Sequence, residues 1–355
     1  MPEAQAHVYE LLKTLCELPG PGGDEGIVQR HLARRWESRV KSLRFSGVGN
    51  LFAHVGGAGP RLLVAAHADE ISFVVKSIDD DGYLWVTTGE RDESQRPSLR
   101  SPVFLPWGQP ALILTTAGVV EGFFATLTGH ILNHQQREMT SPEWTDIFVD
   151  IGATGRSQVE DRGVQIGDRL IWNPPTRRIG DLAYGKAMDD RVGLVVMDYL
   201  LDSLERDRLA YDLTFVSTVQ EEIGLIGAES AAADSGCEIA IALDIGLSGD
   251  VPGVDRRDVP VRLGGGPTIV HKDLSQYNRA LTLALIKTAH AFGIPIQPAV
   301  FGVYGSDASA FTRRGLKAAL VAVPTRYTHS PFEMLHLQDV ERTAALMKAF
   351  LETPA

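Results

Sequence analysis

The spacing of hydrophobic residues changes twice along the chain and divides it into three stretches. Val8, Leu11, Leu12 and Leu15 recur at helical intervals within residues 3–18. The run Pro19-Gly20-Pro21-Gly22-Gly23 ends that helix, because proline cannot continue it and glycine favours its end. Asp24 and Glu25 open a second amphipathic helix through Val28, Leu32 and Trp36, with acids in the first turn as the helix dipole prefers. Strand-like runs follow at 42–45, 51–55 and 61–66, and the last ends in His67-Ala68-Asp69-Glu70. From Ile71 to Asp168 the texture is that of short alternating strands. Residues 71–78 and 83–88 flank Asp79-Asp80-Asp81-Gly82 as in a hairpin, and further β-like runs occupy 111–115, 118–121 and 147–151. Beyond it strands and helices alternate: helix 190–204, strand 213–219, helix 226–233, strand 239–243, helix 275–292, strands 296–301 and 318–323, and helix 338–351.

That alternation predicts an α/β fold, with a mostly parallel central sheet covered by helices on both faces. The expected organisation is one α/β domain in two parts, residues 1–70 and 169–355, interrupted by an all-β, barrel-like insertion at 71–168. A length of 355 residues suits two domains, or one carrying an insertion.

Composition narrows the function classes. A net charge of −11 argues against nucleic acid, which requires a basic footprint. No apolar run reaches the roughly 18 residues that span a bilayer, and the first thirty residues lack the pattern of a secretory signal, so the expectation is a cytoplasmic protein without a membrane partner. Cys16 and Cys237 are too few for a disulfide framework or a thiolate metal site and read as small apolar residues.

In open α/β sheets, ligands bind beyond the carboxyl ends of the strands. His67, the pair Asp189-Asp190, the pair Glu221-Glu222, Asp244 and His329 all fall at or just after predicted strand ends. Singly, each has a plain reading: the acids as helix caps or turn residues, the histidines as satisfied residues of the core or rim. Together, histidines and carboxylates without cysteine suit zinc, cobalt or manganese and leave positions open for water. So many ligands invite two metals sharing a bridging carboxylate. One division of labour for the adjacent glutamates gives metal binding to Glu222 and proton transfer to Glu221. Asp307, between a strand and a helix, is either a cap or a functional acid. Gly264-Gly265-Gly266-Pro267 reads as a flexible loop, since it lacks the spacing of a phosphate cradle.

The stretches Ala66-His67-Ala68-Asp69-Glu70-Ile71, Asp150-Ile151-Gly152-Ala153, Gly185-Lys186-Ala187-Met188-Asp189-Asp190-Arg191, Gln220-Glu221-Glu222-Ile223-Gly224, Leu243-Asp244, Gly305-Ser306-Asp307-Ala308 and Tyr327-Thr328-His329-Ser330-Pro331 follow a known order. In them the chain resembles the glutamyl aminopeptidase type of dinuclear metallopeptidases, which includes the tetrahedral aminopeptidases and relatives that carry the names cellulase M or endoglucanase. The resemblance implies an aminopeptidase acting on peptides with two divalent ions per subunit, zinc or cobalt, with manganese as an alternative. It implies that Asp189 bridges the ions, that His67 and Asp244 complete one set of ligands, and that Glu222 and His329 complete the other. Glu221 is then the general base, Asp69 the acceptor for the free N–H of His67, and Asp307 a substrate contact. The insertion corresponds to a dimerisation domain, so a homo-oligomer built from dimers, up to a dodecamer, is implied. Ser72, where the family pattern has glycine, and the glycine run at 264–266, where it usually has a lysine, depart from the resemblance.

Three rival functions compete with the aminopeptidase. An endoglucanase needs two carboxylic acids and no metal, which leaves His67 and His329 unexplained. A metal-dependent deacylase or carboxypeptidase would share the ligands and differ in its pocket. A non-enzymatic assembly protein has no use for Glu221 beside Glu222.

Overall fold

The structure is a computed structural model and describes residues 3–88, 106–134, 146–302 and 304–353. The expected insertion therefore lies partly outside the described residues, at 89–105 and 135–145. The chain divides into two compact units, one of residues 1–70, 176–328 and 333–355, the other of residues 71–175 and 329–332.

The first unit opens with helices α1 (Glu3–Glu17) and α2 (Gly26–Trp36) and strands β1 (Ser42–Phe45), β2 (Leu51–Gly56) and β3 (Arg61–His67). The second holds β4 (Phe73–Ile78), β5 (Leu84–Thr88), β6 (Pro110–Thr115), β7 (Gly118–Ala125), β8 (Phe148–Asp150), the short helix α3 (Arg156–Asp161) and β9 (Arg169–Trp172). The chain then returns to the first unit with β10 (Arg177–Ile179), β11 (Leu182–Gly185), α4 (Met188–Ser203), β12 (Asp212–Thr218), α5 (Ile226–Ser235) and β13 (Ile239–Leu247). Its last elements are β14 (Thr268–Lys272), α6 (Arg279–Ala291), β15 (Gln297–Val300), α7 (Asp307–Arg313), β16 (Lys317–Arg326), β17 (Glu333–His336) and α8 (Leu337–Leu351).

The first unit is built on a mixed sheet of eleven strands among the described residues. Its centre, β12-β3-β13-β16, is parallel throughout. The flanks β1-β2 and β17-β11-β10 run antiparallel, and β14, antiparallel to β16, pairs in parallel with β15, so the sheet is mixed around a parallel centre. Burial follows from this arrangement: all of β3 after Arg61 is buried, while edge strand β1 is largely exposed. Leu62, Val64, Leu213, Phe215, Ile241 and Leu320 form its apolar core with the covering helices. Cys16 is buried in α1 and Cys237 partly buried before β13.

The second unit is a closed barrel, β4-β5-β8-β7-β6-β9, around Phe73, Ile113, Phe124, Leu170 and Trp172. Phe73 meets Phe124 and Trp172 edge-on, with centroids 5.0 and 5.3 Å apart. Its last strand, β9, begins at Arg169, and the compact unit runs on to Pro175.

The glycine run at 264–266 is pinned rather than loose. Asp339, in the first turn of α8, accepts from Gly264 N (2.6 Å) and Gly266 N (2.8 Å), while Arg342 donates to Gly264 O (2.7 Å). Gly266 has φ +91°, and a Cβ there would lie 2.0 Å from Pro295 O. These amides serve the fold and are not free to cradle a phosphate.

Candidate metal centre

β3 and β12 are parallel neighbours in a register that sets Thr218 beside His67, so both strands deliver their next residues to one edge of the sheet. β3 pairs β13 on its other side only as far as Ala242. Asp244 therefore stands two residues beyond the last β3–β13 pair, while still paired with Ala322 of β16. It lies within a strand that runs on to Leu247, whereas the sequence pattern ended that strand at Leu243. Asp189 arrives from the start of α4, where Asp189 (φ −77°, ψ 108°) and Asp190 (φ −119°, ψ 43°) are not yet helical and the peptide between them is cis.

Three of the five expected ligands converge. One potential ligand atom each from His67, Asp189 and Glu222 lies within 4.8 Å of the others, and all three side chains are buried. His67 Nε2 is 3.0 Å from Asp189 Oδ1. Asp244 and His329 stand outside that group. Asp244 is close enough for its charge and that of Asp189 to bear on each other. His329, at φ +59°, belongs to the segment 329–332 that groups with the second unit.

The expected helper of His67 takes a different form. His67 Nδ1 faces the backbone carbonyl of Asp69 at 3.2 Å, and the Asp69 carboxylate is farther away at 3.5 Å. A carbonyl can only accept, so Nδ1 carries the proton, and Nε2, which faces Asp189 Oδ1, is the nitrogen a metal would take. The Asp69 carboxylate accepts instead from Glu221 N and Glu222 N, 3.0 Å each. Asp69 thus links both halves of the site, one through its backbone and the other through its side chain.

The adjacent aspartates divide their tasks. Asp190 accepts from Gly193 N (3.0 Å), as a cap does, and from His67 N (3.3 Å), while Asp189 faces the imidazole. Asp189 N donates to Glu333 Oε2 (3.1 Å). Glu221 and Glu222 do not cap α5, which begins four residues later at Ile226. Asp307 is buried, accepts from the Thr218 hydroxyl through Oδ2, and its Oδ1 has no hydrogen-bond partner among the described residues. Sequence reasoning gave no role to Glu70, Lys186 or Arg191. They form a buried cluster in which Lys186 Nζ bonds both Glu70 oxygens (3.0 and 2.8 Å) and Arg191 lies 3.4 Å from one of them.

The electrostatics call for added positive charge. Burial first, then neighbouring acids, pushes the carboxyls of Asp190, Glu221 and Asp244 well above the usual range. At His67, burial works to lower the pKa, yet the hydrogen bonds to Asp189 and Asp69 raise it well above that of an ordinary histidine. This is a donor set of imidazole and carboxylate with too little cationic charge of its own, and it fits divalent cations.

Comparisons with known proteins agree with this chemistry. The family model described as M42 glutamyl aminopeptidase matches residues 49–346. The putative aminopeptidase FrvX of Escherichia coli K12 is 32% identical over 354 residues, covering 97% of this chain and 95% of that protein. Among solved structures, the aminopeptidase APDkam598 of the archaeon Desulfurococcus kamchatkensis superposes with a TM-score of 0.91 at 30% identity, covering 99% of this chain and 96% of the other. The TET1 peptidase of Pyrococcus horikoshii, which can assemble into a tetrahedron or a large octahedral shell, gives 0.85 at 29% identity, covering 97% and 99%.

Proposed function

Because the chain belongs to the M42 glutamyl aminopeptidase family, and so is a metal-dependent aminopeptidase, we propose that the site around His67 holds two divalent ions and that Glu221 is its general base. The observation that carries this reading is the convergence of His67, Asp189 and Glu222 with Glu221 alongside. In this reading His67, Asp189, Glu222, Asp244 and His329 would hold the ions, with Asp189 as the ligand shared between them. The nitrogen and oxygen ligands suit zinc or cobalt, and manganese as an alternative.

Two such ions supply Lewis acidity that eases deprotonation of a water and polarises the scissile carbonyl. Glu221, beside the ligands and not among them, would take a proton from the attacking water and return it to the leaving amine. The Nδ1–H bond to the Asp69 carbonyl keeps His67 in the ligating tautomer. Asp307 is assigned to the substrate side through Oδ1, with Oδ2 anchored on Thr218.

A carboxylate-rich site favours the free α-ammonium group of a peptide. Aminoacyl-p-nitroanilides should therefore be cleaved with a free amine and resisted when N-acetylated. Equal rates on both would point to the deacylase reading. The assembly of the Pyrococcus horikoshii neighbour into a tetrahedron or a large octahedral shell supports a homo-oligomer, and we assign its dimer contact to the barrel. Val119 and Phe123, on the outer face of β7, are about half exposed and suit such an interface. Described helices offer no span long and apolar enough to cross a membrane, in keeping with a cytoplasmic enzyme.

A further inference from the structure

Four successive amides of the loop that carries the two glutamates are held by side chains from elsewhere. Val219 N donates to Asn50 Oδ1 (3.2 Å), Gln220 N to Glu25 Oε1 (3.0 Å), and Glu221 N and Glu222 N to Asp69 (3.0 Å each). On the carbonyl side, Val219, Gln220 and Glu221 accept from Gly227 N, Ile226 N and Leu225 N. Gln220 sits at φ +56°. A residue other than glycine is strained there and persists only where its surroundings enforce it.

Asp69 and Asn50 have evident places in this arrangement, one beside His67 and the other bonded to Gly227 O across the loop. Glu25 does not. It occupies the N-cap position of α2, where an acid ordinarily accepts from its own helix, yet it makes no such bond. Its Oε1 turns back to Gly23 N (2.7 Å) and reaches 195 positions along the chain to Gln220 N. The residue is 5% exposed, and burial with the charge of Asp69 pushes its pKa up to about 7. Solvent would accommodate this carboxyl better, so its placement points to the loop.

We propose that Glu25 is a positioning residue for the reaction: its carboxyl oxygen fixes Gln220 in the left-handed conformation and thereby aims Glu221 at the reacting water and Glu222 at the metal. The inference rests on the reading of Glu221 as base. A merely structural acid would tie the N-terminal segment to the body of the domain and alter melting temperature alone.

The test uses the full-length, metal-loaded enzyme with E25A, E25Q and E25D. Steady-state cleavage of a free-amine p-nitroanilide is measured beside hydrogen exchange at residues 219–224. E25A should lower kcat by roughly ten- to a hundredfold, with KM within about threefold, and should speed exchange at Gln220 and Glu221. E25Q keeps an acceptor of the same reach and should restore kcat to within about threefold of the parent. E25D keeps the charge, falls short by one methylene, and should remain impaired. The proposal is overturned if E25A leaves kcat or loop exchange unchanged, or if E25D is as active as E25Q. If E25A does not fold, the order of E25Q and E25D decides alone. E221Q run in parallel separates the two claims: an active E221Q would remove the assigned base, while exchange at 219–224 would still judge Glu25.

Discussion

Asp69 is the residue on which most of the site converges, because its carbonyl orients His67 and its carboxylate holds the amides of Glu221 and Glu222. Replacing it with alanine should lower metal affinity or kcat by about 10–100-fold, measured by competition with a chromophoric chelator and by p-nitroanilide turnover. Parent-like values in both would mean the loop holds itself. The convergent trio His67, Asp189 and Glu222 was legible in the sequence, because such side chains at strand ends stand out against apolar runs. The long-range bonds of Glu25, Asp190 and Glu333 were not, although Asp190 was legible as a cap. Their partners lie far along the chain, at Gln220, His67 and Asp189, and nothing in local spacing records such a bond.

Among the elements, the long periodic ones were predictable, while the short ones were legible only in part. Helices α1, α4, α6 and α8 and strands β3, β12 and β16 fall close to where hydrophobic spacing sets them, since the helices bury apolar faces and the central strands are apolar runs buried along most of their length. Strands β9, β10, β11, β14 and β17 escaped notice, being too short for a period to repeat and held mainly by their neighbours. The junction between β11 and α4 contains the buried Lys186–Glu70 pair. Lys186→Met would leave Glu70 with only Arg191 and Gly20 N, and should cost about 3–5 kcal/mol, read as a fall in urea midpoint. The double variant Glu70→Leu/Lys186→Met should recover much of it; a double variant no better than the single would exclude a stranded charge as the cause. At the start of α5, a Cβ on Gly227 would lie 2.3 Å from Val219 O and 2.5 Å from Val219 N. Gly227→Ala should therefore displace the catalytic loop and reduce kcat, whereas a parent-like kcat would show that the loop tolerates the shift.

For the whole molecule, acids buried away from cations make the metal-free protein less stable as pH rises. Burial pushes Glu25 up to about 7, aided by Asp69, and Asp307 up to about 6. The folded state then binds more protons than the unfolded chain between their ordinary and raised values, so this stabilisation is full below about pH 4 and is lost as pH climbs to about 7. Asp198 acts oppositely: burial would raise it, but Arg35 and Arg39 hold it below the usual range, and its contribution is lost only in acid. Between about pH 5 and 8 the apo protein should lose on the order of a few kcal/mol, and its melting temperature should fall, more steeply than in E25Q. A melting temperature that rises over that window would contradict the electrostatic reading. Added divalent ions should counter the loss.

The central claim is that Glu221 does chemistry at a metal site it does not itself build. The direct test is Glu221→Gln, loaded with metal, its ion content measured beside turnover of a free-amine p-nitroanilide and compared with the parent before and after chelation. The account predicts two ions per chain in both proteins, a kcat in the variant reduced roughly 10²–10⁴-fold, and no turnover by the chelated parent. Parent-like turnover by the fully loaded variant, or cleavage that survives chelation, would contradict it.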